Sequence, residues 1–143
     1  TEEYIHYIRS AFPHLSFAPI VMASAKTSWN TEKILKLIVE VDAARKIKIS
    51  DNALSKFLKY LIKKQPPAKK RINVRGRVAV KRAFITKLRQ VDTAPPVFEC
   101  EVGSDEELLE SYKKYMINNI REKFGFLGTP IKLVIRRQID QKH

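Results

Sequence analysis

The sequence predicts an α+β domain of about ninety residues that follows the last part of a doubly wound α/β unit. Residues 46–143 have the hydrophobic pattern of a helix, two strands, a helix and a strand, whereas residues 1–45 have that of a helix, a strand, a loop and a helix. The net charge of +13 lies entirely after residue 45, because the first 45 residues hold five basic and five acidic side chains. We therefore expect a boundary near residue 45.

The first part predicts two helices and one buried strand. Residues 1–12 repeat apolar side chains at spacings of three and four, which is typical of an amphipathic helix, and the apolar run at residues 17–25 predicts the strand. Residues 31–44 predict the second helix, capped by Asn30 or Thr31. Its predicted buried stripe comprises Ile34, Leu35, Leu37, Ile38 and Val41. Since one buried strand needs parallel neighbours, we expect the chain to begin within a larger α/β domain.

The second part opens with a helix and a basic segment. Ser50 is a candidate N-cap for a helix over residues 50–64, which two prolines then end. Residues 68–75 are predicted to form a basic loop, and residues 76–88 to form a strand.

The remaining elements are a strand, a helix and a closing strand. Residues 97–102 alternate, which places Phe98, Cys100 and Val102 on one face of a strand. Ser104 and Glu107 have the spacing of a capping box, which predicts a helix over residues 104–124. Gly125 is the expected stop signal, and residues 129–136 predict the last strand.

The basic side chains are concentrated in one stretch without acids. Between Asp51 and Asp92 the chain has thirteen Lys or Arg and no Asp or Glu. Such a run repels itself unless a polyanion is near, and nucleic-acid phosphate is the usual polyanion. The alternatives are a solvated basic surface and a disordered basic loop. The RNA-contact candidates are Lys63, Lys64, Lys69, Lys70, Arg71, Arg75, Arg77, Lys81, Arg82, Lys87 and Arg89.

No catalytic or metal-binding motif is found in the sequence. None of the three histidines stands at a motif-like spacing from a Ser, Cys or Asp, and no phosphate loop occurs. Cys100 is interpreted as a small core residue. Since no apolar run approaches the roughly 20 residues of a spanning helix, we expect no membrane partner.

Ser24, Ala25 and Lys26 directly follow the predicted strand and precede a predicted helix. Open α/β sheets bind their ligands at this position, beyond the carboxyl end of a strand. The alternative is an ordinary connection between a strand and a helix.

Residues 111–137 read SYKKYMINNIREKFGFLGTPIKLVIRR. This segment closely resembles the pattern SY.RY..N.IRE.FGF.GTPI at the carboxyl end of the bacterial double-GTPase-domain family Der, also called EngA. Residues 17–27 (FAPIVMASAKT) and residues 94–98 (APPVF) resemble further segments of the same family in the same order. The resemblance covers essentially the whole chain.

The resemblance implies that residues 1–45 are the tail of the second GTPase domain and residues 46–143 a KH-like α-β-β-α-β domain. It implies a role in assembly of the large ribosomal subunit in the bacterial cytoplasm, with rRNA and the GTPase domains of the same protein as partners. By the same resemblance, Ser24, Ala25 and Lys26 contact guanine through backbone N–H groups. GTP or GDP with Mg would also need a phosphate loop and an Asn-Lys-x-Asp motif, which this sequence lacks, so the chain alone is not expected to hydrolyse GTP.

The chain departs from the family pattern in three places. The family usually has glycine at the position of Ser28 and glutamine at the position of Lys87, and residues 68–93 are longer and more basic than expected. Gly125 and Gly128 also match the GxxG clamp of nucleic-acid-binding KH domains, which this family lacks. We interpret these two glycines as a helix stop and a turn.

A second function is left open by the resemblance. The KH-like domain would dock on a GTPase domain and report its nucleotide state, with little RNA contact. The two functions differ in where Lys69, Lys70, Arg71, Arg75 and Arg77 lie. One open face would favour RNA, whereas acidic partners on a GTPase domain would favour docking.

Overall fold

A computed structural model describes residues 1–103 and 107–138 and confirms the α+β fold class. Its elements are α1 (Glu2–Ala11), α2 (Thr31–Arg45), α3 (Asp51–Lys64), β1 (Lys69–Val74), β2 (Arg77–Arg82), β3 (Ile85–Asp92), β4 (Val97–Val102), α4 (Glu110–Phe124) and β5 (Lys132–Arg137). A single 3-10 turn, Pro13–Leu15, follows α1. None of the helices in the described ranges is long and apolar enough to cross a membrane.

The three strands β3, β4 and β5 form one sheet with β4 in the centre. β4 is antiparallel to β3 and parallel to β5, so that Cys100 lies between Leu88 and Ile135. With α3 and α4, the sheet has the predicted order α-β-β-α-β.

The core lies between this sheet and the two helices. α3, β4 and α4 each contribute fully buried apolar side chains, among them Leu61, Phe98 and Met116. Phe98, Cys100 and Val102 all point into the core, as the alternation predicts. Ser50 caps α3, because its hydroxyl accepts a hydrogen bond of 3.2 Å from the N–H of Ala53.

A β-hairpin stands between α3 and β3, where the sequence predicts a basic loop followed by a single strand. β1 and β2 pair in antiparallel fashion and form a separate two-stranded sheet. Arg75 and Gly76 connect them, with φ of 52° and 78°. Positive φ at both turn residues matches the right-handed twist of a tight hairpin, which explains why the predicted loop is paired instead. The predicted single strand is divided between β2 and β3, which belong to different sheets.

Two further boundaries differ from the prediction. α4 begins at Glu110 because Leu108 enters the core from a non-helical segment, and the predicted cap, Ser104, lies outside the described residues. β5 begins at Lys132, since Thr129 and Pro130 belong to the preceding turn. Gly125 ends α4 with φ of 101°, as predicted.

The predicted strand over residues 17–25 is not formed; only Ser24 makes an isolated bridge, to Trp29. A parallel strand needs neighbours on which to pair, and the described residues hold none for this segment. The stripe predicted to be buried on α2 is also wrong, because Leu35 is 67% exposed and Ala44 is the helix's one buried residue. Both errors have the same cause, since this stripe has no sheet to cover it in the described structure.

Candidate functional site

The β1–β2 hairpin is the most basic feature of the structure. From Lys69 to Arg82 the chain has seven basic residues and no acid. Most side chains of both strands are exposed, and Ile72 and Ala79 are partly buried. The hairpin therefore presents its charges to solvent.

Cations face cations across the hairpin. Lys69 lies opposite Arg82, and Lys70 lies opposite Lys81. Like charges on opposite residues destabilise strand pairing, and a lone two-stranded hairpin is marginal in water. A bound polyanion would remove this repulsion and stabilise the hairpin.

The five basic residues whose placement distinguishes the two functions do not share one face, so this criterion does not favour RNA over docking. The register places Lys69 and Arg71 on one face and Lys70 and Arg77 on the other, with Arg75 in the turn. Lys70 pairs with Glu107 at 2.6 Å, which lowers the pKa of that carboxyl. Within residues 1–103 and 107–138 this is the only ion pair of the hairpin.

The remaining RNA-contact candidates have different surroundings. Lys63, Lys64 and Lys87 are exposed. The guanidinium of Arg89 donates two hydrogen bonds to Glu99, of 3.0 and 2.5 Å, and this bonding raises its pKa. Because Arg136 approaches the same carboxylate at 3.6 Å, Arg89 belongs to a charge network on the outer face of the sheet.

Ser24, Ala25 and Lys26 begin a closed loop. The N–H of Ser24 donates to the carbonyl of Trp29 at 3.0 Å, and the Ser24 hydroxyl accepts from the N–H of Thr27 at 3.4 Å. Ala25 and Lys26 are exposed, and their N–H groups donate to no acceptor among the described residues. Two adjacent free N–H donors can bind a carbonyl oxygen of a ligand.

Ser28 and Asn30 hold the far side of this loop in the left-handed region, with φ of 58° and 59°. The amide of Asn30 donates to the carbonyl of Met22 at 3.0 Å, which fixes the base of the loop. Asn30 is the N-cap of α2 by position, although its side chain makes no capping hydrogen bond. The left-handed φ of Ser28 explains why glycine suits this position.

The loop between α4 and β5 is covered by residues of this chain. A Cβ added to Gly128 would lie 2.6 Å from Val41 Cγ2 and 3.1 Å from Pro19 Cδ. The guanidinium of Arg121 donates to the carbonyls of Phe126 and Thr129, at 2.7 and 2.9 Å. These contacts agree with Gly125 as a helix stop and Gly128 as a turn, and they leave the GxxG backbone little room for phosphate.

The buried titratable groups serve the core. Burial raises the pKa of the Cys100 thiol to about 12, so that the thiol stays protonated at neutral pH. Tyr112 is also buried, its pKa is raised to about 12, and its hydroxyl donates to the carbonyl of Gln65 at 2.7 Å. Among residues 1–103 and 107–138, no cluster of three or more His, Cys, Asp or Glu could hold a metal ion.

A groove between α3 and α4 was not predicted. Phe57, Tyr60 and Lys123 line both of its two adjoining depressions, whose volumes are about 430 and 230 Å³. Tyr60 stands outside the buried stripe of α3, and it is 56% exposed. The sequence does carry a signal for this groove, because Tyr60 is an aromatic residue among lysines on the polar side of the amphipathic helix α3.

The family model described as KH-domain-like of EngA bacterial GTPase enzymes, C-terminal, matches residues 48–136. Proteins named GTPase Der are similar to the chain over most of its length. The one from Chloroflexus aggregans is 36% identical over 136 residues, which are 94% of this chain and 28% of the relative. Those from Natranaerobius thermophilus and Lactobacillus johnsonii are 33% and 36% identical, over 94% and 92% of this chain and 29% and 28% of the relatives.

The chain thus spans less than a third of the length of these relatives, and its matched region contains α3, the hairpin, the three-stranded sheet and α4. The α+β architecture is consistent with a match to a KH-like domain. On the strength of that match, the chain belongs to the family of KH-like carboxyl-terminal domains of EngA bacterial GTPases.

Proposed function

We propose that this chain is the RNA-contacting carboxyl-terminal part of a GTP-binding protein that acts in assembly of the large ribosomal subunit in the bacterial cytoplasm. The observation that carries the proposal is the charge of the hairpin: two successive cross-strand pairs consist of cations only, and of its seven basic residues only Lys70 forms an ion pair with a described residue. Phosphate groups of rRNA are the polyanion that such a hairpin fits.

The two parts of the chain have separate roles in this proposal. Residues 1–45 are the tail of the second GTPase domain, and residues 46–143 are the KH-like domain. Ser24, Ala25 and Lys26 form one wall of the guanine pocket, where the N–H groups of Ala25 and Lys26 receive the guanine carbonyl. GTP or GDP, its Mg and the catalytic residues are held by upstream domains, as the name of the relatives suggests.

The contacts with RNA are expected to be mainly to phosphates. Arg71, Arg75 and Arg77 form no ion pair with any described residue, so they are available for such contacts. Arg89 is the weakest of the candidates, because its guanidinium is bound to Glu99.

Binding of the 143-residue chain to large-subunit rRNA fragments across a salt series tests the proposal. Affinity falls as salt rises, and each lost phosphate contact reduces the steepness of log affinity against log salt by roughly 0.7–0.9. The combined replacement of Arg71, Arg75 and Arg77 by alanine should therefore lower the slope by about 2. The matched control replaces three exposed lysines elsewhere, Lys33, Lys36 and Lys114, and should leave the slope nearly unchanged. Equal slopes for both variants would refute hairpin contact, and a wild-type chain without salt-dependent binding would refute RNA contact altogether.

The second candidate function, nucleotide-dependent docking, is favoured by a different observation. Residues 17–45 already contact the KH-like domain, since Phe17 lies against Arg121 and Val41 lies against the position of Gly128. A change in the guanine loop could therefore reach the KH-like domain through α2. In a longer protein with its upstream GTPase domains, this function requires the docked and undocked states of the KH-like domain to differ in their affinity for each nucleotide form. Equal affinities would exclude it.

A further inference from the structure

The groove between α3 and α4 has an aromatic floor. The rings of Phe57 and Phe124 pack edge to face with their centroids 5.2 Å apart, and Phe57 is nearly fully buried. Tyr60 extends this aromatic surface to solvent. The groove therefore offers an apolar aromatic surface next to water.

Ammonium groups surround this floor. Lys56 and Lys123 line the larger depression, and Lys64 and Lys123 line the smaller one. The ammonium of Lys64 lies 5.8 Å from the centre of the Tyr60 ring. Among the described residues that line the two depressions, Glu122 is the one acid and Lys56, Lys64 and Lys123 are basic. The lining therefore carries a net positive charge.

The lining also holds a hydrogen-bonding group with spare capacity. Asn119 donates through Nδ2 to the carbonyl of Tyr115 at 2.8 Å, and its amide oxygen accepts no hydrogen bond from the described residues. An amide oxygen at the edge of an aromatic surface can accept from the amino group of a stacked base.

We propose that this groove binds one unpaired nucleotide of an RNA strand, with the base stacked on Tyr60 and the flanking phosphates at Lys56, Lys64 and Lys123. The inference rests on the proposed RNA contact and extends it from phosphate to base recognition. Proteins that bind single strands combine these same parts, namely exposed aromatic rings and a basic groove that follows the backbone.

Continuity with the hairpin favours RNA over an acidic peptide as the occupant. Lys63 and Lys64 end α3, and the hairpin begins at Lys69, with no acid in the connection. One strand of RNA can therefore meet positive charge from the groove to the hairpin. A peptide would use the ammonium groups and gain little from a flat, exposed tyrosine ring.

The test compares two fluorescein-labelled octanucleotides of equal charge, one with bases and one abasic, in binding to the full 143-residue chain. Stacking predicts tighter binding of the oligonucleotide that has bases. Replacement of Tyr60 by alanine should weaken that complex roughly tenfold and leave the abasic one unchanged, because a stacked base contributes about 1–3 kcal/mol. Tyr60→Phe should retain most of the affinity. Tyr7→Ala removes a tyrosine that is 68% exposed on α1, and it should have no effect.

The salt dependence separates this proposal from that of the hairpin. Tyr60→Ala should keep the wild-type salt slope, since no phosphate contact is lost, whereas the hairpin variant should reduce the slope. If Tyr60→Ala binds both oligonucleotides like the wild type while the hairpin variant loses slope, the groove proposal is wrong and the RNA function stands. If the wild-type chain binds neither oligonucleotide, both proposals are wrong. Thermal unfolding followed by circular dichroism checks that each variant is folded.

Discussion

The ring of Phe17 lies over the guanidinium of Arg121, with 5.1 Å between the ring centroid and Cζ. This contact joins the first part of the chain to the end of α4. Arg121 faces no carboxylate among the described residues; its charge is held by two carbonyl groups and one aromatic ring. The guanidinium thus contacts two separate segments at once, the loop between α4 and β5 and the segment that holds Phe17.

Replacement of Arg121 by alanine should lower the free energy of unfolding by about 2–3 kcal/mol, because two partly buried carbonyls lose a charged donor. Arg121→Lys should recover only part of this loss, since the ammonium is more strongly hydrated than the guanidinium and lacks the planar face that stacks on Phe17. Phe17→Leu should cost about 0.5–1 kcal/mol, the usual contribution of a cation–π contact. Urea unfolding measures all three. A cost for Arg121→Ala no larger than that for Phe17→Leu would contradict the role of the carbonyl contacts.

Gly128→Ala should destabilise the chain by roughly 2–4 kcal/mol. The alanine would be strained in the left-handed conformation of this position, and its Cβ would overpack against Val41. Gly76 is the matched control. It also has positive φ, yet an added Cβ would meet nothing within 4 Å, so Gly76→Ala should cost only about 1 kcal/mol. Adding Val41→Ala to Gly128→Ala should restore part of the loss. Equal costs at the two glycines would show that residue 128 does not touch α2.

Ser28→Gly should stabilise the loop over residues 24–29 by about 0.5–1 kcal/mol, because glycine adopts the left-handed region without strain. Ser28→Ala keeps the strain and serves as a control. Asn30→Gly should show no comparable gain, since it removes the hydrogen bond from Asn30 to Met22. Hydrogen exchange of residues 24–31 reports the local change. Equal protection in the serine and glycine chains would count against strain at this position.

The stability of the chain should fall in alkaline solution. Folding raises the pKa of Cys100 from 9.0 and that of Tyr112 from 10.0, each to about 12. Because the folded state binds these two protons more tightly than the unfolded state, protonation of both groups stabilises the fold. This contribution is complete below pH 9 and is lost as pH rises toward 12. One such group contributes a slope of up to about 1.4 kcal/mol per pH unit. Urea unfolding at a series of pH values measures it.

Cys100→Ala separates the two groups. Removal of the thiol should move the onset of alkaline destabilisation from about pH 9 to about pH 10, where Tyr112 begins to titrate. Tyr112→Phe should leave the onset near pH 9. An onset that stays at pH 9 in Cys100→Ala would assign the effect to another group.

The sequence predicts best where a local pattern and the tertiary environment agree. Phe98, Cys100 and Val102 alternate along a strand whose one face is buried, so the pattern alone identifies their face. Ser50 caps α3 through a contact that spans only three residues. Such features depend on neighbours in sequence, which periodicity reports directly.

The errors arise where distant residues decide the outcome. The apolar stripe of α2 predicts burial, but burial needs a second surface, which the described structure does not contain. The hairpin was missed because two positive φ angles at Arg75 and Gly76 cannot be read from charge density. The contact of Arg121 with Phe17 was missed because the two residues lie far apart in the sequence, and the groove at Tyr60 was missed because its second wall lies on α4.

Gln90 on β3 binds the connection between α2 and α3. Its amide accepts from the N–H of Ile49 at 2.8 Å and donates to the carbonyl of Ile47 at 2.9 Å. Beside it, Arg45 and Ala94 exchange two hydrogen bonds, of 2.9 and 3.0 Å. Displacement of residues 45–49 from the sheet would have to break all four bonds, and a tilt of α2 alone would have to break the two between Arg45 and Ala94. The connection between α2 and α3 is therefore anchored to β3 and to the turn that follows it.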